Sequence, residues 1–359
     1  MGAWNYFLIF FAAMLILSII FAGGGQTIAL IILMAFLGGG VFLLVTGFDV
    51  FRHPNAFINY LHARNFLSQG KIRQALEHYD KALSMNPGLE TARREKAALL
   101  IAIGNQELAQ QTLDEAIAQN PEQVKLYQMR VTTLAGKGDY EGVIEETNRI
   151  LDITPQYNRA YLYRAMAYQS LEQYEAAAAD YQTFIAENPR YLPAYASLAE
   201  VYLSLKQPED ARALYDQAIE RNPRFAPAYA GRGFILAMQG ELDAADADAE
   251  RAVELAPDQP GVYYSRGCVA AFAGREQDAF DDFRHALDLQ PDYHYAVAAM
   301  AATHRMLGNN LQSEALWRTL VKQDTGYTSI DWVLTRYGWI GALADAARDT
   351  VQAVNTQSA

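Results

Sequence analysis

Hydrophobic positions follow two different patterns along this chain. Residues 4–22 and 28–48 are almost continuously apolar, whereas beyond residue 50 the apolar positions recur in short groups interrupted by polar residues. Both continuous apolar runs and groups with a 3.6-residue period favour α-helices, the first apolar all round and the second on one face. The pattern therefore predicts an all-α chain in two parts.

The second part repeats every 34 residues. Prolines recur at this interval: Pro87, Pro121, Pro155, Pro189, Pro223, Pro257 and Pro291. Glycines share another phase, with Glu172 and Lys206 filling two gaps: Gly70, Gly104, Gly138, Gly240, Gly274 and Gly308. Proline cannot continue a helix, and glycine tolerates the positive φ that ends one. Each repeat is therefore predicted to be two helices of about 12 to 14 residues with short turns.

Large and small residues alternate at fixed positions, counted from 31 residues before each proline. Position 4 is tyrosine in five repeats: Tyr127, Tyr161, Tyr195, Tyr229 and Tyr263. Positions 8, 20 and 27 are small, as in Ala199, Ala211 and Ala218, while positions 11 and 24 are large, as in Tyr202 and Tyr215. This pairing allows close helix approach, and the arrangement resembles the tetratricopeptide repeat.

The resemblance implies a right-handed α-solenoid of about eight helix-turn-helix repeats over residues 56–327. The repeats would start near residues 56, 90, 124, 158, 192, 226, 260 and 294. Basic residues at position 7 are interpreted as scaffold residues: Lys96, Arg130, Arg164, Arg232 and Arg266.

Helical spacing from Ile330 to Val354 predicts one C-terminal helix, within residues 328–359, that caps the last repeat. Trp332 and Trp339 lie with Leu343 on a second stripe of this helix. They either pack inside the cap or form an exposed docking site.

The two N-terminal apolar runs are each long enough to cross a membrane, since a spanning helix needs about 20 apolar residues. We predict a transmembrane hairpin over residues 1–50, with spans at 4–22 and 28–48. No basic segment precedes the first run, which argues against a cleaved signal peptide. Gly38 would face Ala12 and permit close helix contact. Alternatively, the glycines reflect the glycine content of membrane helices.

The flanking charges predict an orientation for this hairpin. Its turn is uncharged, whereas Arg52, Arg64 and Arg73 follow the second run. Because positively charged flanks stay in the cytoplasm, we expect an integral protein of the inner or plasma membrane with cytoplasmic repeats. The alternative places the repeats outside the cell. Residues 51–55 form a short linker, so the first repeats would lie against the membrane surface or a membrane partner.

Charge and composition exclude several classes of function. The net charge is −12 with no basic stripe, so nucleic acid is not expected as a partner. Cys268 is the only cysteine, and the six histidines lack the spacing of a metal site. The acidic pairs 281–282 and 145–146 are interpreted as solvated helix faces. We predict no catalytic, cofactor-binding or metal-binding residues, and no enzyme.

The resemblance also implies a concave groove, lined by the first helix of each repeat, that binds a protein or peptide. The matching positions are Lys125, Gln128, Met129, Thr132, Arg159, Leu162, Tyr163, Met166, Phe234, Met238, Tyr264 and Phe272, together with Ser197, Glu200 and Cys268. Methionine and aromatic side chains suit the apolar anchors of a partner, and the same spacing equally fits packing between repeats. Some members bind the carboxylates of a chaperone C-terminus through Lys and Asn of the first repeats. Here Tyr60 and Arg64 occupy positions 5 and 9 of the first repeat, so a chaperone C-terminus is not expected as the partner.

These features predict a non-catalytic, membrane-anchored scaffold that recruits or assembles proteins at the cytoplasmic membrane face. The alternative is a permanent accessory subunit of a membrane enzyme, transporter or secretion complex. The two alternatives differ in the lifetime and stoichiometry of the complex.

Overall fold

A computed structural model describes residues 53–358 of the chain. The predicted transmembrane hairpin lies outside these described residues. Among the helices of the described range, none combines the length and the apolar composition needed to cross a membrane.

The described residues form 18 α-helices and one short 3₁₀ helix, without strands. The prediction of an all-α helical repeat fold is therefore confirmed. The helices are α1 (Pro54–Ser68), α2 (Ile72–Met85), α3 (Glu90–Ala102), α4 (Gln106–Gln119), α5 (Val124–Lys137), α6 (Tyr140–Ile153), α7 (Asn158–Ser170), α8 (Tyr174–Glu187), α9 (Leu192–Ser204), α10 (Pro208–Arg221), α11 (Ala226–Met238), α12 (Leu242–Leu255), α13 (Pro260–Phe272), α14 (Glu276–Leu289), α15 (His294–Met306), α16 (Asn310–Gln323), η1 (Thr325–Thr328), α17 (Ile330–Tyr337) and α18 (Gly341–Ser358).

The turn inside each helix pair needs a left-handed residue. Gly240 has φ +82° between α11 and α12, and a side chain there would meet open space, so backbone conformation alone explains the glycine. Glu172 and Lys206 adopt the same conformation at the two positions where glycine is missing, with φ of 59° and 61°. These two residues hold a conformation that costs an L-residue about 1–2 kcal/mol relative to glycine.

The chain divides into two compact units, Met1–Met129 and Arg130–Ala359. In the described part of the first unit, Tyr60 and Tyr79 are fully buried with alanines of α1 and α2. In the second unit, Gly267 of α13 lies against Phe283 of α14, so closely that a methyl group at Gly267 would lie 2.5 Å from the ring. Large residues therefore fill the space that small residues leave, as the sequence pattern predicted.

The tyrosines at position 4 connect consecutive repeats. Four of the five phenols donate a hydrogen bond to the carbonyl of the proline six residues earlier: Tyr127 to Pro121 at 2.7 Å, Tyr195 to Pro189 at 3.2 Å, Tyr229 to Pro223 at 3.3 Å and Tyr263 to Pro257 at 3.1 Å. The bond gives a hydrogen-bond donor to the proline carbonyl, which lies in the turn between two helices and has no helical partner. The tyrosine and the proline therefore act together to stabilise the turn between consecutive repeats.

Four arginines at position 7 join the two helices of their own repeat, whereas Lys96 pairs with Asp80 of the preceding repeat at 2.7 Å. Arg232 donates to both oxygens of Asp248, 16 residues later, at 2.7 and 2.9 Å, and also contacts Asp216 of the preceding repeat at 2.7 Å. Equivalent bonds link Arg164 to Asp180, Arg266 to Asp282 and Arg130 to Glu146. These charge-assisted bonds orient consecutive helices.

This pairing corrects the interpretation of two acidic residues as solvated. Asp282 and Glu146 are buried, whereas their neighbours Asp281 and Glu145 are exposed. Hydrophobic periodicity could not distinguish the buried carboxylates from the exposed ones. A buried carboxylate needs a charged partner, and here that partner lies 16 residues away in sequence.

The C-terminal end differs from the single helix that the sequence predicted. It forms two helices, α17 and α18, because Gly338 adopts a left-handed φ of 65° after Tyr337 and ends the first. Helix α18 packs against α15 and α16 and covers the end of the repeats. Helix α17 follows η1 and lies elsewhere, on the inner helices of the second unit.

Candidate peptide-binding groove

Three candidate groove residues lie on α5 within the first unit. Lys125 is exposed, while Gln128 and Met129 are half-buried. Met129 packs against the cluster of Ala97, Leu113, Ala116 and Leu126. At this position the methionine therefore contributes to packing between repeats.

The second unit begins with the candidates on α5 and α7. Thr132 and Arg159 are exposed, and Tyr163 is half-buried. Leu162 packs against the hydrophobic cluster of α8, α9 and α10. Met166 is 52% exposed, one of several large apolar side chains that the repeats leave exposed. An accessible apolar anchor is therefore present on α7.

Glu200 lies one repeat further along, on α9. The amide of Gln169 donates to its carboxylate at 3.5 Å, and Tyr181 donates to the amide oxygen of Gln169 at 2.8 Å, which orients that amide. Glu200 is exposed at the surface, yet nearby protein atoms displace part of the water around its carboxylate. This desolvation raises its pKa above the ordinary glutamate value. Among the described residues, no Lys, Arg or His lies within ion-pair distance of Glu200.

The candidates on α11 and α13 are covered by the chain itself. Phe234 is buried, and Met238, Tyr264 and Phe272 are half-buried. All four pack in one hydrophobic cluster with residues of η1, α17 and the loop after it. We call residues 325–340 the C-terminal segment.

Two indole groups attach the C-terminal segment to distant repeats. Trp332 Nε1 donates to Glu172 Oε1, in the turn between α7 and α8, at 2.9 Å. Trp339 Nε1 donates to the Tyr264 hydroxyl on α13 at 3.1 Å. Bonds at both ends therefore fix the position of α17 on the inner helices.

Aromatic rings fill the space between these two hydrogen bonds. Tyr337 stacks on Trp339 with ring centroids 4.8 Å apart and meets the Tyr295 ring edge-on at 5.0 Å. The hydroxyls of Tyr337 and Tyr327 are 2.5 Å apart. Gly338 lies so close to Phe234 that an added methyl would lie 3.4 Å from the ring. Aromatic side chains therefore fill the space between the C-terminal segment and the helices α11, α13 and α15.

Cys268 lies beneath this aromatic layer. It is fully buried on α13, and burial raises the pKa of its thiol to about 12. The thiol therefore stays protonated and inaccessible in the folded chain. Sequence position alone placed Cys268 on the groove, but in the fold it lies in one hydrophobic cluster with Tyr264 and Trp339.

Several residues of this surface were not identified from the sequence. Tyr295, Tyr337 and Glu172 make contacts that join residues up to 160 positions apart. The single local signal was Glu172 itself, a charged residue at a position that otherwise favours glycine. In the described part of the chain, no group of three or more His, Cys, Asp or Glu residues could hold a metal ion.

Family models agree with the repeat pattern. Three models described as tetratricopeptide repeats match residues 66–134 and 168–232, residues 226–259, and residues 260–336. No curated protein matches the chain.

Solved structures share the fold at low sequence identity. A tetratricopeptide repeat protein from Parabacteroides merdae is 18% identical, with a TM-score of 0.56, and the match covers 68% of this chain and 96% of that one. The Cut9–Hcn1 hetero-tetramer of the APC/C is 16% identical, with a TM-score of 0.50, and the match covers 80% of this chain and 57% of that one. At these identities the likeness supports the fold alone.

Proposed function

We propose that this chain, whose helix pairs are tetratricopeptide repeats, is a non-catalytic scaffold that binds a partner protein through the inner helices of its second unit. Proteins built from these repeats generally mediate protein–protein interaction. The observation that carries the proposal is the open surface on α7 and α9. There Met166 offers an exposed apolar anchor, and Glu200 has no counter-ion among the described residues.

The open surface suits a segment that combines an apolar and a basic side chain. Methionine adapts its shape to an apolar anchor. Glu200 would form a charge-assisted hydrogen bond with a lysine or arginine of the partner, which offsets the desolvation of its carboxylate. Arg159, exposed at the start of α7, would select a partner with a complementary acidic group nearby.

Membrane anchoring is the second part of the proposal. Residues 4–22 and 28–48 have the length and composition of two membrane spans. Helix α1 begins at Pro54, which leaves only a few residues between the second run and the repeats. An anchor so close to α1 would hold the repeats at the cytoplasmic membrane face. The same short connection also favours a second candidate function, a permanent subunit of a membrane complex.

The partner site is tested by affinity capture from a membrane extract in mild detergent. The full chain is compared with a Met166→Glu/Glu200→Lys variant and with Leu311→Glu. Leu311 is 78% exposed on α16, so its substitution introduces a charge at an apolar surface position away from α7 and α9. We expect the double variant to lose the specific partner and the control to retain it. Equal recovery by all three chains would exclude α7 and α9 as the binding surface.

The anchor is tested by comparing the full chain with a chain that starts at Pro54. Recovery of the same soluble proteins by both would support recruitment. Recovery of integral membrane proteins by the full chain alone would support the permanent subunit.

A further inference from the structure

The C-terminal segment occupies part of the inner surface that the sequence assigned to a partner. It covers Phe234, Met238, Tyr264 and Phe272, whereas Met166 on α7 stays exposed. One inner surface therefore has an open part and a part filled by the chain itself.

The filled part shows what kind of side chains this surface accepts. Val333, Tyr337 and Trp339 are buried on it, at spacings that place them along one short stretch of chain. Two indole N–H groups end on oxygen acceptors, those of Glu172 and Tyr264. The surface thus takes an eight-residue helix and the residues directly after it, with aromatic anchors and one indole donor on the helix and one beyond its end.

The C-terminal segment and the cap touch, since Asn355 of α18 donates to the Thr328 carbonyl at 3.0 Å, but the main contacts of the cap are with the repeats. Helix α18 packs mainly on α15 and α16, where the Ser313 and Thr350 hydroxyls lie 2.9 Å apart, and makes smaller contacts with α13, α17 and η1. Gly338, with φ of 65°, follows α17, and Gly341, with φ of 56°, begins α18. Changes at these two left-handed glycines can move α17 while α18 continues to cover the end of the repeats.

The contact at the far end of α17 is also accessible. Trp332 is half-buried, and its hydrogen bond with Glu172 is solvent-exposed. The exposed guanidinium of Arg336 lies 5.0 Å from the centroid of the Trp332 ring. Solvent therefore reaches the contact between α17 and the turn that holds Glu172.

We propose that the surface of α11, α13 and α15 is a docking site for a short partner helix with aromatic anchors, and that the C-terminal segment is its built-in competitor. This inference rests on the proposed function and deepens it, because it specifies the partner that the filled part of the surface takes. The partner helix replaces α17. The chain binds this partner only while α17 is displaced, so its apparent affinity for the partner falls in proportion to the fraction of chains whose surface is free.

The experiment uses a fluorescently labelled peptide with the sequence of residues 324–340 as the competitor. Its binding to the full chain in mild detergent is followed by fluorescence anisotropy. Trp332→Ala in the chain weakens the internal contact while the peptide keeps its tryptophan, so we expect the peptide to bind this variant at least tenfold more tightly than the original chain. Trp332→Phe, which keeps a ring and removes only the N–H donor, gives a smaller gain in the same direction.

Asp331→Asn is the matched control on the same helix. Asp331 is exposed, and its substitution is expected to leave the affinity unchanged. A second pair of variants locates the peptide. Added to Trp332→Ala, Glu172→Gly removes the acceptor of the peptide tryptophan and weakens binding severalfold. Lys206→Gly places glycine at the equivalent left-handed position one repeat later, and we expect it to leave peptide binding unchanged.

Equal affinity of the peptide for the original, Trp332→Ala and Asp331→Asn chains, or binding to none of them, would overturn the inference. Thermal melting of each variant confirms that it is folded. The result is independent of the partner captured through Met166 and Glu200. If Met166→Glu/Glu200→Lys loses its partner while the peptide binds the original and Trp332→Ala chains equally, the proposed function is supported and the competitor is rejected. If that variant keeps its partner while Trp332→Ala binds the peptide more tightly, the competitor is supported and the surface of α7 and α9 is rejected.

Discussion

The indole of Trp332 donates a hydrogen bond to the carboxylate of Glu172 at 2.9 Å, across 160 positions of sequence. Glu172 adopts a left-handed φ of 59°, which glycine adopts at most equivalent turns. One residue therefore combines backbone strain with a long-range contact. Strain of this kind persists where the surrounding structure uses it.

Two substitutions separate the strain from the contact. Lys206→Gly relieves a left-handed residue that makes no such contact, and we expect a gain of about 0.5–1 kcal/mol in the free energy of unfolding. Glu172→Gly relieves the same strain and loses the Trp332 bond, worth about 1 kcal/mol, so its net effect is near zero. Chemical denaturation measures both. Equal gains would show that the Trp332 bond contributes nothing to stability.

Close packing at Gly267 predicts sensitivity to a single methyl group. Gly267→Ala places a Cβ 2.5 Å from the Phe283 ring and should cost about 1–3 kcal/mol by overpacking. Gly261→Ala in the same helix meets its nearest neighbour at 3.6 Å and is the control. We expect that control to be neutral or slightly stabilising, because alanine has the higher helix propensity. Melting curves that rank the two variants in the opposite order would contradict the packing of α13 on α14.

The ion pairs at position 7 predict unequal roles for neighbouring carboxylates. Asp248→Ala removes both hydrogen bonds from the Arg232 fork and should cost about 2 kcal/mol. Asp281→Ala removes an exposed carboxylate and should cost less than about 0.5 kcal/mol. Urea unfolding of the two variants distinguishes a structural bond from a solvated charge, and similar losses would contradict the assignment.

The raised pKa of Glu200 predicts a pH dependence of stability. In the pH window between the ordinary glutamate pKa and the raised one, the folded chain binds more protons than the unfolded chain, so stability falls as pH rises through this window. Glu200→Gln removes that dependence and should be the more stable chain above the window. The stability gap should narrow as pH is lowered. Parallel stability curves for the two chains would show that Glu200 is not desolvated.

The single thiol predicts a clear test of burial. Cys268 should react with a thiol reagent at pH 8 only after unfolding, because it is buried and burial raises its pKa to about 12. The control is the same reaction in denaturant, which should go to completion. Rapid labelling of the folded chain would mean that α13 and the C-terminal segment separate readily. Cys268 is consequently unsuited to report on which side of a membrane the repeats lie.

The regular part of the fold was predictable because its causes are local. Proline ends a helix and glycine adopts a positive φ wherever they occur, so the ladders of Pro257 and Gly240 define turns without any tertiary information. The tyrosine at position 4 was identified from its recurrence, although its bond to the proline carbonyl was not. Short-range chemistry, repeated at a constant interval, specifies the helix pairs.

Features that depend on distant partners could not be predicted in this way. Asp282 was interpreted as solvated, because its partner Arg266 lies in the other helix of the repeat. Gly338 divides the predicted cap into two helices, and α17 then reaches Glu172. The periodic residues of this chain therefore specify a repeat protein. Which part of the inner surface stays open depends on how the repeats of the second unit pack together, since that packing brings α7, α13 and α17 within contact distance.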